Sequence, residues 1–290
     1  MNTRGIAVVA VLCVVLLDLP ARGQAPSPLP SARSAMACQV RGGTLKFGIS
    51  RDAVGIDPHI SYGVTSSSIQ GNVYDNLVDL DPQGRIMPSL AESWTQPEPT
   101  TYVFKLRRNV TFSDGTPFTS ADIAYTFQRI RDPQNRLTKQ RDIDLLVRSA
   151  RTPDAYTVEV RLNFPSATFL DLLMSRDMYI VSRKWAEAGG DFRKAAVGTG
   201  PYRLTGLEPN VRYTLEHNPT AWNPGCLDRI DLFPYQDDRA RVNSLKSGQT
   251  DFTTVLTAEQ EQLVVEDALA STQGNVVLAV ISVYRALGGG

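Results

Sequence analysis

His59 and His217 are the only histidines in the 290-residue chain, and they stand far apart in sequence. A Ser–His or Cys–His mechanism therefore has few bases to draw on. No G-x-S-x-G elbow, H-E-x-x-H run or glycine–lysine phosphate loop occurs. Gly198-Thr199-Gly200 lacks the third glycine of a dinucleotide fingerprint. Asp114 and Asp122 are explained by a turn and a helix start. The chain is not expected to be an enzyme or to need a cofactor. Cysteine pairs at two-residue spacing are absent, so no metal site is expected. His59 follows Asp57-Pro58 and could assist a metal–chelate complex, yet a lone histidine with so few co-ligands reads as structural. Asn109-Val110-Thr111 matches a glycan acceptor, but it falls in the 105–112 strand region, which argues against modification.

The cysteines carry the remaining side-chain chemistry. Cys13 lies in the apolar N-terminal run, and its removal would leave Cys38 and Cys226. In an exported chain these two form a natural disulfide, worth roughly 5 kcal/mol by loop closure if unstrained. Two free thiols are the alternative, which spacing does not exclude.

The elements that must position these groups follow from periodicity. Leu45, Phe47 and Ile49 alternate with small or polar residues, as in a half-buried strand. Ser61 to Ser68 reads as a polar loop, and Ile69 to Leu80 as a helix with Ile69, Val73, Leu77 and Leu80 on one face. Tyr102, Phe104 and Leu106 mark a second strand. Ser113 to Pro117 is turn chemistry, and Thr119 with Asp122 caps a helix that buries Ile123, Phe127 and Ile130 and ends at Asp132-Pro133. Tyr156 to Leu162 alternates again, with Tyr156, Val158, Val160 and Leu162 inward. A helix follows Pro165 through Phe169, Leu172 and Leu173. Strands at Val211–Glu216 and Ile230–Phe233 and a helix near Ala240–Lys246 close the readable region. Intermingled strands and helices imply an α/β class with mixed α+β sheets. No repeat at a fixed period is expected.

Thirty basic and thirty acidic residues cancel, so no long-range field favours nucleic acid as a partner. Arg4, the apolar run Ile6–Leu17 and Ala21-Arg22-Gly23 read as a secretory signal, 1–23, rather than a membrane span. Residues 24–40, rich in Pro, Ser and Ala, read as a flexible leader. Cys38 lies too far beyond the apolar run to be read as lipidated.

From Gly42 to Phe252 the order of motifs resembles the family 5 extracellular solute-binding proteins. These include the oligopeptide-, dipeptide- and nickel-binding components of ABC importers. The resemblance rests on Gly42-Gly43-Thr44-Leu45, Val73-Tyr74-Asp75-Asn76-Leu77 and Pro88-Ser89-Leu90-Ala91-Glu92-Ser93-Trp94. Thr101-Tyr102-Val103-Phe104-Lys105-Leu106-Arg107, Phe112 to Phe118 and Ala121-Asp122-Ile123 continue it. Pro165-Ser166, Gly198-Thr199-Gly200-Pro201-Tyr202, Asn218-Pro219 with Trp222, and Ser247 to Asp251 complete it. Each run alone is weak, while their combined order is specific. Trp94 and Trp222 read as core or interface aromatics, and Gly198–Pro201 as a close approach to another strand at a crossing between subdomains.

The resemblance implies a type II periplasmic-binding-protein-like receptor that captures peptides or similar small solutes in the periplasm and docks, as a monomer, on an ABC permease. It implies a first-lobe core of 41–79 plus 193–262, an inserted subdomain of 80–192 and an atypical tail of 263–290. The loop Tyr62-Gly63-Val64-Thr65 would bind ligand, with Gly63 exposing its backbone and Tyr62 a contact surface; an ordinary solvent loop is the alternative. Relatives continue into a second lobe that carries the acidic residue for the peptide's α-amino group, and none of that pattern follows here. The chain is therefore expected to be truncated, with a partner chain that supplies the remainder as the alternative. A non-transport remnant stands as the alternative function, and nickel-chelate binding as a lesser one.

Overall fold

The computed structural model of the chain describes Cys38 and residues 41–253, apart from 54, 61, 62 and 82. The expected signal 1–23, the rest of the leader, Tyr62 and everything after residue 253 lie outside the described residues.

Two larger sheets organise the chain, each with its own apolar core. The first has the order β11-β1-β10-β9-β8, from Phe252–Thr253, Thr44–Ile49, Arg229–Pro234, Arg212–His217 and Tyr202–Glu208. β1 runs parallel to both β10 and β11, while β9 pairs antiparallel with β10 and β8. The alternation in β1 is realised: Leu45, Phe47 and Ile49 are buried with Ile230, Leu232, Tyr213 and Leu215. A disulfide joins Cys38 to Cys226, with their Cα atoms 5.5 Å apart, and Gly42 N–H donates to Cys226 O beside it.

The helix that packs on this sheet, α1, spans Val64–Val73. It starts earlier and ends earlier than the 69–80 helix expected, and Val64 and Thr65 belong to its first turn rather than to a loop. Of the serines that read as loop, Ser67 bonds back along the helix, its Oγ donating to Gly63 O at 2.9 Å, while Ser66 Oγ is buried with no hydrogen-bond partner among the described residues. The early stop has a tertiary cause: Gly200 N–H takes the carbonyl of Val73 at 2.9 Å, and Tyr74 turns to extended geometry. Leu77 therefore faces the second core, and Val78–Leu80 pairs as β2 with β3 (Ile86–Pro88).

The second sheet is antiparallel, in the order β4-β5-β7-β6, from Ala91–Glu98, Thr101–Leu106, Thr157–Leu162 and Val147–Asp154. Tyr102, Phe104, Leu106, Val158, Val160 and Leu162 face its core as the alternation predicts. Tyr156, expected inward, is instead half-buried in the turn before β7, and Thr157 is buried, accepting from the Lys105 ammonium at 2.9 Å. The helix α2, Ser120–Arg131, begins at the expected Thr119–Asp122 capping box, where Thr119 N–H donates to Asp122 Oδ2 at 2.8 Å. Its Ile123, Phe127 and Ile130 are buried. Shorter helices follow at Gln140–Leu146 (α3), Phe169–Leu173 (α4) and Arg183–Glu187 (α5), with α6 at Asp238–Lys246. Asn109 sits in an exposed turn with φ 60°, because β5 already ends at Leu106; the expected strand there does not form.

This sheet also contains the repeat that periodicity did not reveal. The pairs Ala91↔Leu106, Ser93↔Lys105, Thr95↔Val103 and Glu98↔Thr101 of β4–β5 recur in β6–β7. There they are Val147↔Leu162, Ser149↔Arg161, Arg151↔Glu159 and Asp154↔Thr157, with bulges at the same places. β5 and β7 then pair about Val103↔Glu159, so a local two-fold relates the hairpins. The sequence trace is Ser93…Pro97-Glu98…Thr101…Lys105-Leu106 against Ser149…Pro153-Asp154…Thr157…Arg161-Leu162.

Candidate functional site

Open sheets with parallel strands bind ligands beyond the carboxyl ends of those strands. In this chain β1, β10 and β11 end together, which puts the expected binding crevice beside Ser50 to Ala53 after β1, Tyr235 and Gln236 after β10, and Thr253 at the end of β11. Gly48 lets these strands close up. A Cβ there would lie 2.9 Å from Thr253 Oγ1 and 3.3 Å from the Tyr235 ring, and Thr253 Oγ1 donates to Gly48 O at 3.0 Å.

The loop after β1 is tied down by hydrogen bonds. Asp52 Oδ1 accepts from the Tyr213 hydroxyl in a short hydrogen bond and from Asn210 N–H at 2.9 Å. Ala53 N–H donates to Tyr213 Oη at 3.2 Å. Burial, then the Asp52 carboxylate, pushes the Tyr213 phenol well above its ordinary value, so it remains a donor. Tyr235 N–H donates to Ile49 O at 2.9 Å, while its hydroxyl is buried with no hydrogen-bond partner among the described residues.

Of the four residues expected to touch ligand, Tyr62 lies outside the described residues. Gly63 is exposed at φ 91° as the N-cap of α1 and carries no side-chain cap. Val64 and Thr65 open the helix, and Thr65 is buried. The expected loop is therefore, from Gly63 onward, the start of a helix whose first amide groups lack a side-chain acceptor.

The segment leading to Gly63 is anchored by a buried charge cluster. Arg129, from α2, binds Asp57 through both ends of its guanidinium, at 2.7 and 3.1 Å. Its Nη1 also donates to His59 Nδ1. Arginine has only donors, so Nδ1 must accept, and Nε2–H donates to Tyr179 O at 2.8 Å. Burial, followed by the Arg129 charge, lowers the His59 pKa to about 4. Gln70 Nε2 completes the cluster by donating to Asp57 O at 2.8 Å. Both His59 nitrogens are engaged, and the described residues contain no group of three or more potential ligands for a metal ion. Sequence gave His59 its structural role but offered no sign of Arg129, which lies between Phe127 and Ile130 on the helix.

The motif residues converge on the junction between the sheets rather than on the crevice. Asp75 Oδ2 accepts from Thr199 Oγ1 at 2.8 Å and from Trp222 Nε1 at 3.0 Å. Arg107 lies 4.3 Å from the centre of the Trp222 ring and donates to Ser89 O. Asn218 Nδ2 donates to Gly200 O at 3.0 Å. Gly198 and Gly200 press on a helix end, not on another strand as expected, since a Cβ on Gly198 would fall 2.0 Å from Val73 O. Runs dispersed through the chain thus meet to fix one junction.

A family profile described as bacterial extracellular solute-binding proteins, family 5 Middle, matches residues 85–282, more than half of the chain. The periplasmic oligopeptide-binding protein OppA of Salmonella typhimurium is 29% identical over 222 residues, covering 68% of this chain and 40% of the relative. The structure of the PBP AgaA from A. tumefaciens R10, in complex with agropinic acid, is similar at TM-score 0.68 and 31% identity, over 72% of this chain and 43% of that one. Helicobacter pylori DppA, a periplasmic binding protein in complex with peptide STSA, is similar at TM-score 0.71 and 26% identity, over 77% and 49%. The chain spans less than half the length of each. The fold is that of the type II periplasmic binding proteins, and family members of this kind bind solutes rather than catalyse reactions. With the profile spanning most of the described residues and the fold shared, the chain belongs to the family 5 bacterial extracellular solute-binding proteins.

Proposed function

We propose that the chain serves as the solute-capturing part of an ABC importer, exported to the periplasm by the segment 1–23 and presenting peptides or similar small solutes to a membrane permease. The observation that carries this reading is that the parallel strands β1, β10 and β11 end together, in a fold shared with a peptide-bound relative. Ligand would meet the backbone at Gly63, the start of α1 at Val64 and Thr65, and the ring of Tyr62. Extended peptide recognises exposed backbone groups of this sort by main-chain hydrogen bonding. The disulfide Cys38–Cys226 suits an oxidising compartment.

A thermal-shift scan of the purified chain against di- to oligopeptides, with nickel as a separate arm, tests the proposal. Ligand at about one hundred times Kd should add about 2.7 kcal/mol to native stability. A peptide-specific rise in Tm that is lost in Tyr62→Ala supports peptide capture at this site. A shift with nickel alone replaces it by the metal-chelate reading. A cooperative melt indifferent to every ligand leaves a folded remnant without transport function, and the proposal fails.

A further inference from the structure

The two-fold in the four-stranded sheet gives an internal control for what a bare hairpin end looks like. Where the β6–β7 turn meets the end of β5, the surface sinks into a concavity of about 410 Å³, within the range of small-molecule sites. Glu92, Lys105, Arg108, Asp154, Tyr156 and Thr157 line it. Glu92 is the extra residue of the first β4 bulge, between Ala91 and Ser93, and Asp154 follows a bulge of β6, so both carboxylates are set by places where the ladder is interrupted. Bulges commonly re-aim side chains next to sites.

Charges of both signs meet here: hydrogen bonds from Tyr156 N–H and Thr157, then the Lys105 and Arg108 charges, hold the Asp154 carboxyl below its ordinary value. Lys105 Nζ donates to Thr157 Oγ1 at 2.9 Å, Arg108 lies 5.0 Å from the Tyr156 ring centre, and Asp154 Oδ1 accepts from Tyr156 N–H at 2.8 Å. At the equivalent end, Arg161 replaces Lys105 and pairs with Glu159 at 2.8 Å, Arg148 replaces Glu92, Glu98 replaces Asp154, Phe164 replaces Arg108, and Thr100 replaces Tyr156. The same backbone contact closes both ends: Leu106 N–H to Tyr156 O at 2.9 Å, and Leu162 N–H to Thr100 O at 2.7 Å. The two ends therefore share the backbone and an acid at the turn, but only the first sets Glu92 and Arg108 beside it.

We infer that this hollow is a second binding site, for a small zwitterion such as a free α-amino acid, with Lys105 and Arg108 receiving the carboxylate and Glu92 and Asp154 the ammonium. It lies on a different sheet from the crevice and stands or falls separately from the transport reading. Exposed charge pairs of this kind contribute modestly, so the affinity belongs in the millimolar range.

Amide NMR of the whole chain, titrated with L-alanine, tests it. Saturable shifts confined to Glu92, Lys105–Arg108 and Asp154–Thr157 are expected, with no such shifts from the uncharged N-acetyl-alanine methylamide. Arg108→Gln and Glu92→Gln, both on exposed side chains, should each weaken binding about tenfold. An absence of saturable shifts, equal shifts from acetate alone, or shifts that survive in both variants would each overturn the assignment. The thermal response to peptides in Tyr62→Ala reports on the crevice and leaves this outcome untouched.

Discussion

At one end of the four-stranded sheet, β5 terminates in Lys105, Leu106 and Arg108 against the turn at Asp154–Thr157. At the other, β7 terminates in Arg161, Leu162 and Phe164 against the turn at Glu98–Thr101. Register, bulges and inward positions coincide. What differs is the surroundings. α2 and α3 pack on β6, and α2 also reaches β7, whereas β4 meets β3. A shared backbone thus packs against different neighbours with the same inward positions buried, while the side chains around the two turns have diverged. The lesson is that pairing geometry is set by the alternation of apolar residues, while chemistry is set by residues outside that alternation.

The largest test breaks the shared core. Phe104 is fully buried where its counterpart is Val160, and Phe104→Ala should cost about 3 to 5 kcal/mol, read from urea midpoints at constant slope. A loss below about 1 kcal/mol would mean the two hairpins do not share a packed interior.

The attachment of α2 gives the next effect. His59 beside Arg129 binds its proton only near pH 4 when folded, against an ordinary value of 6.5. The unfolded chain takes up that proton first as pH falls, so stability is present above about 6.5, is lost between 6.5 and 4, and changes no further below. The loss from this group is on the order of 3 kcal/mol. Urea titrations from pH 7 to pH 4 should show it in the native chain and lack it in His59→Gln. Parallel pH profiles for the two would remove His59 from the account.

A smaller change sharpens the comparison by forcing symmetry. Val160→Phe writes the β5 residue into β7, and overpacking should cost about 1 to 3 kcal/mol, because α2 already covers that hairpin. A neutral or stabilising result would show room where the asymmetry argument places none. Least of all, Glu159→Gln removes an exposed ion pair with Arg161 and should move stability by less than about 1 kcal/mol, read by thermal melting. A larger loss would make that pair structural.

Much of the fold was legible before any coordinates. Period-two runs such as Tyr102, Phe104 and Leu106 marked strands because only one face is buried, and Thr119 with Asp122 marked a helix start because both partners are local. The start of α1 was not legible, since three successive serines read as loop and Gly63 signals a turn as readily as a cap. Its end was not legible either, since Gly200 reaches Val73 from far along the chain. The site was less readable than the fold. Arg129, Tyr213 and Tyr235 act through partners distant in sequence, and no local spacing announces them. The hairpin repeat escaped notice because the equivalence keeps only Ser, Pro, an acid, Thr and a basic residue with Leu, scattered over each copy.

β1 has a consequence for how the chain comes into being. Its parallel partner β10 begins at Arg229, so Leu45, Phe47 and Ile49 have no neighbouring strand until nearly all the described chain exists. At ordinary rates of synthesis that interval is roughly 10 to 40 s, whereas the hairpins between them close within themselves. A polypeptide whose first described strand must wait for nearly its last described one keeps its leading edge without a partner for most of its synthesis.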